Sequence, residues 1–324
     1  FGDVFQERYF TRKIPDGCYL GCNLACAKGA EDVLLERGPQ AGKRVGIDGP
    51  EYETAGAATA MGIFDPQFVM EFNWYCDDYG LDTWDLQKMI DWLFSCFQAG
   101  IITEESTGLP MSKIGSLEFM ETLVRMISLR EGFGDVLSRG SERAAEKLGK
   151  EAKAQYRYAD AYEPRLYNTN TLLFPFEPRE PIQQLHEVGL SVAQWVSWVK
   201  GIEEVYMSPD VLRGIARNFW GGEVAADFST YEGKVLAAKL IQDRQYVKEC
   251  LMVCDFKYPM LDIRNSEDHE GDPGLESRIL SAVVGKEIDE HSLYRIGERV
   301  LNLQRAVLLR EGHLARQDDH LPED

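Results

Sequence analysis

Cys18, Cys22 and Cys26 open the chain in the run Pro15-Asp-Gly-Cys18-Tyr-Leu-Gly-Cys22-Asn-Leu-Ala-Cys26, and Cys254 stands far downstream in Cys250-Leu-Met-Val-Cys254-Asp-Phe. Three closely spaced thiolates and one distant thiolate are what a cubane iron–sulfur cluster requires. A tight loop grips three irons, and a second element of the fold closes the fourth corner. The Cys-x3-Cys-x3-Cys spacing sets the sulfurs about one helical turn apart, so one turn and helix can present all three. Zinc also accepts four thiolates, but its structural sites usually come as two Cys-x2-4-Cys pairs. Cysteine is a common core residue as well. The spacing favours the cluster and leaves zinc and buried thiols open. Cys76 and Cys96 fall in or beside helical stretches and Cys250 lies one turn from Cys254, so these three are read as bystanders.

The elements that must position these residues are mainly α-helical. From Asp82 onward Leu86, Met89, Ile90, Leu93, Phe94 and Phe97 recur at the 3-and-4 spacing of a buried helix face, with Asp82 as N-cap and Gly100 as stop. Leu117, Met120, Leu123, Val124 and Ile127 form a second stripe, Ser141 to Leu148 a third, and Leu293, Ile296, Val300, Leu303 and Val307 a last one. Strand signals are few: Val33 to Arg37 and Lys43 to Ile47 flank Gly38-Pro-Gln-Ala-Gly42 and read as a small hairpin near the N-terminus. The polar segment Lys150 to Glu163, followed by Pro164, Pro175, Pro178 and Pro181, breaks the helical pattern. The expected architecture is therefore multihelical, with one helical domain over 1–155 and another over 156–324. Cys18, Cys22 and Cys26 lie in the first and Cys254 in the second, so a shared cluster would tie the two together. No internal repeat stands out.

Composition narrows the classes. With a net charge of -19 the chain lacks the clustered Lys and Arg that phosphate backbones demand, which argues against nucleic acid. No run approaches the roughly 20 apolar residues of a membrane span, and Phe1 to Arg12 does not read as a signal peptide. Seven cysteines, an odd count in a long chain, do not suit a disulfide-stapled secreted domain, and the expected location is cytoplasmic. Gly132-x-Gly134 is a poor nucleotide-binding signal, because the third glycine is misplaced and no strand precedes it.

Five segments, in order along almost the whole chain, carry a resemblance to a known family. They are the cysteine run with Cys254-Asp-Phe, Gly49-Pro-Glu-Tyr-Glu-Thr54, Cys76-Asp-Asp-Tyr-Gly-Leu-Asp-Thr83, Arg130-Glu-Gly-Phe-Gly-Asp-Val-Leu-Ser-Arg-Gly140, and Gly297-Glu-Arg-Val-Leu-Asn-Leu-Gln-Arg305 running on to Asp318-Asp-His-Leu-Pro322. The sequence resembles the helical second and third domains of tungsten-containing aldehyde ferredoxin oxidoreductases. The resemblance implies a [4Fe-4S] cluster beside tungsten (or molybdenum) held by two pterins. It also implies anaerobic oxidation of aldehydes to carboxylic acids, and ferredoxin or another electron-transfer protein as partner. It leaves room for a homodimer. A β-rich, N-terminal pterin-binding domain is expected as a further partner, since that part of the family pattern is not in this sequence, and the pieces present are expected to be inactive alone.

The resemblance also assigns residues. Asp77, Gly80, Leu81 and Asp82 match the family's Asp-x-x-Gly-Leu-Asp pterin element. Carboxylates accept hydrogen bonds from the pterin's amine and ring N–H groups, and glycine permits close backbone approach. Asp82 is equally a helix cap, and a cap engages only one of its two oxygens. Glu53 matches an acidic residue near tungsten, where a carboxylate would serve as acid–base group; it also reads as an ordinary first-turn helix acid before Ala55 to Ala60. Tyr52 is a hydrogen-bond donor to substrate or a core tyrosine. The departures matter too. The first cysteine pair is Cys-x3-Cys where the family has Cys-x2-Cys. The second pterin element, usually Asp-x-x-Gly-Leu-Cys, reads Glu249-Cys-Leu-Met-Val-Cys254, keeping a carboxylate but losing the glycine. The family's active-site histidine aligns with Gln183, and His186 one turn on is the candidate substitute, against its commoner role as a structural histidine. These departures strengthen, as the alternative, the tungsten subunit of benzoyl-coenzyme A reductases, and the cysteine pattern also suits a cluster-binding electron-transfer subunit without its own active site.

Overall fold

The computed structural model describes residues 13–16, 22, 27–48, 58, 61–156, 167–176, 186–312, 316 and 319. The chain divides into two compact units, 1–158 and 159–324.

In the first unit, strands β1 (Lys13–Asp16), β2 (Ala27–Leu34) and β3 (Arg44–Asp48) form an antiparallel sheet in that order. The β2–β3 hairpin turns through Gly38 and Gly42, both at positive φ, as its glycines anticipate. The expected hairpin forms, and β1, which was not legible, adds a third strand. Its four residues are short and include a proline, which sequence reasoning demotes from strand status, whereas an edge position tolerates it. Asp16 pairs with Ala27, so in sequence Cys18, Cys22 and Cys26 fall between β1 and β2. Cys18, Cys26 and any helix presenting them lie outside the described residues.

Among the described residues, the helices that follow in this unit are α1 (Pro66–Tyr79), α2 (Thr83–Gln98), α3 (Glu104–Thr107), α4 (Leu117–Leu129), α5 (Gly134–Leu137), α6 (Ser141–Leu148) and α7 (Lys150–Gln155). Asp65 caps α1 by accepting from Gln67 N at 3.0 Å, and Pro66 takes the first helical position, where its missing N–H costs nothing. The apolar stripes meet in one core of Phe68, Phe72, Leu93, Phe119, Leu123 and their neighbours. Gly134, from the Arg130-to-Gly140 segment, is a packing glycine: a Cβ there would lie 2.0 Å from the Met126 carbonyl oxygen. The polar run from Lys150 begins as α7, docked by Trp92, whose Nε1 donates to Ala152 O at 2.9 Å.

The hairpin is fastened to α1 by polar side chains. Glu71 is fully buried; it accepts from Glu36 N at 2.6 Å and Arg37 N at 3.2 Å, and pairs with Arg37 Nε at 2.8 Å. One turn on, Tyr75 Oη donates to Arg37 O at 3.0 Å and accepts from Gln40 N at 3.1 Å. The β2–β3 hairpin is thus bonded to the helix that bears Asp77.

The second unit contains α8 (Asn168–Leu173), α9 (His186–Val199), α10 (Pro209–Phe219), α11 (Lys234–Leu251), α12 (Leu275–Val284) and α13 (Glu290–Glu311). α11 is its axis, buried without interruption from Ile241 to Lys248 although its sequence is rich in charge. α13 forms where its apolar stripe predicts, but the stripe is buried only towards its start: Leu293 is buried and Ile296 and Val300 are half-buried, whereas Leu303 is 64% and Val307 46% exposed. A Cβ on Gly297 would sit 2.0 Å from Asp243 O, so this glycine is what lets α13 lie against α11.

Two matched turns and a buried charge network

α1 and α11 end alike. In the first unit Gly80 caps α1 in the left-handed region (φ 71, ψ 40); its N–H donates to Asp77 O at 3.1 Å, and Leu81 N donates to Cys76 O at 2.9 Å. In the second unit Met252 caps α11 in the same region (φ 53, ψ 44); its N–H donates to Glu249 O and Val253 N to Lys248 O, both at 3.2 Å. Each turn has a carboxylate three residues before the left-handed residue, and each carboxylate accepts from an amide one helical turn earlier. Asn73 Nδ2 donates to Asp77 Oδ2 at 2.9 Å, and Gln245 Nε2 to Glu249 Oε1 at 3.4 Å. Asp77, Gly80, Asp82 and Glu249 are exposed and Leu81 is half-buried against the core. The element without its glycine therefore keeps the backbone of the element that has one, and a local repeat exists where none stood out in the sequence.

The position after each turn differs. Asp82 accepts from Asp85 N at 3.0 Å and starts α2, fulfilling its capping role. Cys254 occupies the equivalent place in the second turn, half-buried, with its carbonyl accepting from Tyr258 N at 2.9 Å and Lys257 N at 3.2 Å.

Behind Cys254 lies a connected set of charges that sequence reasoning missed apart from His186. Asp255 accepts from Lys248 Nζ and from His186 Nδ1, both in short contacts. Lys248 also lies 3.7 Å from Glu187, which holds Arg244 in a two-pronged pair at 2.9 and 2.8 Å. Arg244 donates further to Tyr294 Oη at 2.9 Å and to Phe219 O at 3.1 Å. Glu187, Arg244 and Lys248 are almost wholly buried. Burial by itself would lower the Arg244 pKa, but attraction to Glu187 and Tyr294 and the hydrogen bonds to both together outweigh it, and the net direction is up. Burial pushes the Tyr294 phenol up to about 12 and raises the carboxyl of buried Glu276 nearby. His186 stacks on Phe256 at 4.5 Å and lines a cleft of about 230 Å³ with Leu190, Ser191, Tyr258 and Met260.

Of the other candidates, Glu53, Tyr52, Gln183, Cys18 and Cys26 lie outside the described residues. Cys22, like Cys254, is half-buried, whereas Cys76 and Cys96 are sealed in the first unit's core. Burial raises the Cys76 thiol well above its ordinary value and Cys96 to about 11, which disfavours the thiolate that a metal needs. Among the described residues, no group of three or more His, Cys, Asp or Glu is placed to hold a metal ion. No helix among them is long and apolar enough to cross a membrane.

The family model described as aldehyde ferredoxin oxidoreductase, domains 2 and 3, matches residues 2–324. Two similar relatives are the tungsten-containing aldehyde ferredoxin oxidoreductases of Pyrococcus furiosus, 27% identical over 328 aligned residues, and Pyrococcus horikoshii, 26% identical over the same length. Each alignment takes in 99% of this chain and 46% of the relative, so the chain spans about half the length of the curated relatives it matches. The aliphatic sulfonate oxidoreductase, WOR-like subunit, of Pyrococcus furiosus is 30% identical over 145 residues, 44% of this chain and 22% of that protein.

Proposed function

Because the chain belongs to the aldehyde ferredoxin oxidoreductase family, an oxidoreductase family, we propose that it supplies the helical domains of a tungstopterin iron–sulfur enzyme. That enzyme oxidises aldehydes to carboxylic acids and passes the electrons to ferredoxin, in concert with a β-rich pterin-binding domain. The observation that carries this reading is the matched pair of turns: each helix end presents an exposed carboxylate three residues before a left-handed cap, an acceptor suited to a pterin N–H donor.

The residues fit such a group. Asp77 and Glu249 are acceptors for pterin N–H donors, each steered by an amide within its own helix. Gly80 has open space around the place a Cβ would occupy, so a flat ring can approach the backbone there. Cys18, Cys22, Cys26 and Cys254 would hold the cluster; Cys254 stands half-buried on a closed turn, accessible to a metal as the core thiols are not. When bound, the tungsten supplies the two-electron step and the cluster carries electrons away singly. The chain's own part is acid–base and positional. His186, oriented by Asp255, lines a cleft of small-molecule scale and is the candidate to move a proton at Nε2, with Glu53 the second candidate. The sulfonate oxidoreductase match makes a sulfonate the competing substrate class.

The test uses the full-length protein purified without oxygen. Asp77→Ala is expected to lower tungsten content, whereas Glu53→Gln is expected to keep the metal and lose turnover. Iron without tungsten or molybdenum in the unaltered protein would favour an electron-transfer subunit, and turnover of sulfonates but not aldehydes would move the substrate class.

A further inference from the structure

The charge chain Tyr294–Arg244–Glu187–Lys248–Asp255–His186 runs through the interior of the second unit and includes Asp255, the residue after Cys254. Burying this many charges is expensive unless each is paired, and here each has a partner of opposite sign or a polar donor. A stable core does not require them, since apolar residues of similar size would pack at least as well. Their arrangement has one end that matters chemically. Lys248 lies a single residue before Glu249 on α11, yet its ammonium folds back to the carboxylate of Asp255, beyond the left-handed turn. His186, from a different helix, grips the other oxygen of the same carboxylate.

We propose that Lys248 and His186 are positioning residues for Cys254. Through Asp255 they fix the turn that presents the thiolate, and they keep the adjacent carboxylate charge-compensated so that it does not oppose reduction of the cluster. The proposal rests on the reading of Cys254 as a cluster ligand. Its physical basis is that cluster potentials follow the net charge nearby. A thiolate-ligated cluster is already anionic, so an uncompensated carboxylate beside it makes an added electron less favourable. Removing the ammonium therefore lowers the potential, and removing the carboxylate's charge raises it.

The experiment is a redox titration of the cluster signal in the full-length, anaerobically purified protein, with iron content and the rate of iron release to a chelator measured in parallel. Lys248→Met should shift the potential down and speed iron release. Asp255→Asn, nearly the same shape, should shift the potential up. Opposite signs support the proposal, since a merely structural lesion gives no reason for them; unchanged potentials, or shifts of the same sign, overturn it. Should Lys248→Met fail to fold, Asp255→Asn decides alone, an upward shift supporting and no shift or a downward one overturning. Cys254→Ser separates the two levels. Iron lost in that variant with unshifted potentials in the others sinks only the positioning role, whereas iron fully retained in Cys254→Ser sinks the ligand reading and this proposal together.

Discussion

The turn after α1 and the turn after α11 reach one backbone conformation by different means. Gly80 enters the left-handed region without strain, so the first turn is encoded within a few residues. What holds it from outside is modest: Ser128 Oγ donates to Tyr79 O at 2.6 Å, and Tyr79 Oη donates to Glu121 at 3.0 Å. Met252 does not favour that region, and the second turn is tethered instead by Lys248 to Asp255 across the bend and by His186 from α9. A conformation written locally in one place is imposed by tertiary contacts in the other. Local encoding leaves the first turn's neighbourhood free to be apolar, while the second demands a charged interior.

The largest effect should follow from breaking that interior. Arg244→Met leaves Glu187 buried without its main partner, and a loss of about 3–5 kcal/mol is expected. The measurement is a denaturant midpoint followed by a probe in the second unit, with the first unit's midpoint as reference. A loss below about 1 kcal/mol would mean that the network does not carry the second turn, and the contrast between the turns would collapse. A smaller effect, about 1–3 kcal/mol, is expected for Gly297→Ala, because the new methyl meets the Asp243 carbonyl and pushes α13 off the helix that bears the second turn. Gly134→Ala makes a similar clash with the Met126 carbonyl in the first unit, so the pair reports which unit yields more to the same insult.

The same division governs what was legible in the sequence. Leu86 to Leu93 and Leu117 to Ile127 lie on helix faces as their spacing indicates, because a buried apolar stripe is a local property. Asp82 reads correctly as a cap for the same reason. Membership of the family was legible from five short segments, and the match over residues 2–324 agrees. The charged network was not. Glu187, Arg244 and Lys248 carry no local mark of burial, and only pairing between elements distant in sequence explains it. The second turn was matched through Glu249 and Cys254, but its left-handed backbone was not legible, since methionine stands where the glycine that marks it would be. The stripe on α13 is right for the helix and for its start, where Leu293 is buried, but Leu303 and Val307 stay exposed and Gly297, which no apolar pattern marks, makes a close contact with α11.

The smallest effect is the sharpest test of the comparison. Gly80 has nothing within reach of an added Cβ, so Gly80→Ala measures backbone conformation alone, and a loss of about 1 kcal/mol is expected. Met252 is 71% exposed, so its removal sacrifices little packing. Met252→Gly relieves a left-handed residue of about 1–2 kcal/mol and returns about 0.5–1 kcal/mol through the freer unfolded chain. The net expectation is a gain of about 0.5 kcal/mol, opposite in sign to Gly80→Ala, with thermal or denaturant unfolding of each unit as the measurement. In an Arg244→Met background the gain should grow, because a turn stripped of its tether must rely on the residue at its apex. If Met252→Gly instead destabilises as much as Gly80→Ala, the methionine side chain itself holds the second turn, and the tether through Asp255 is not what replaces the glycine.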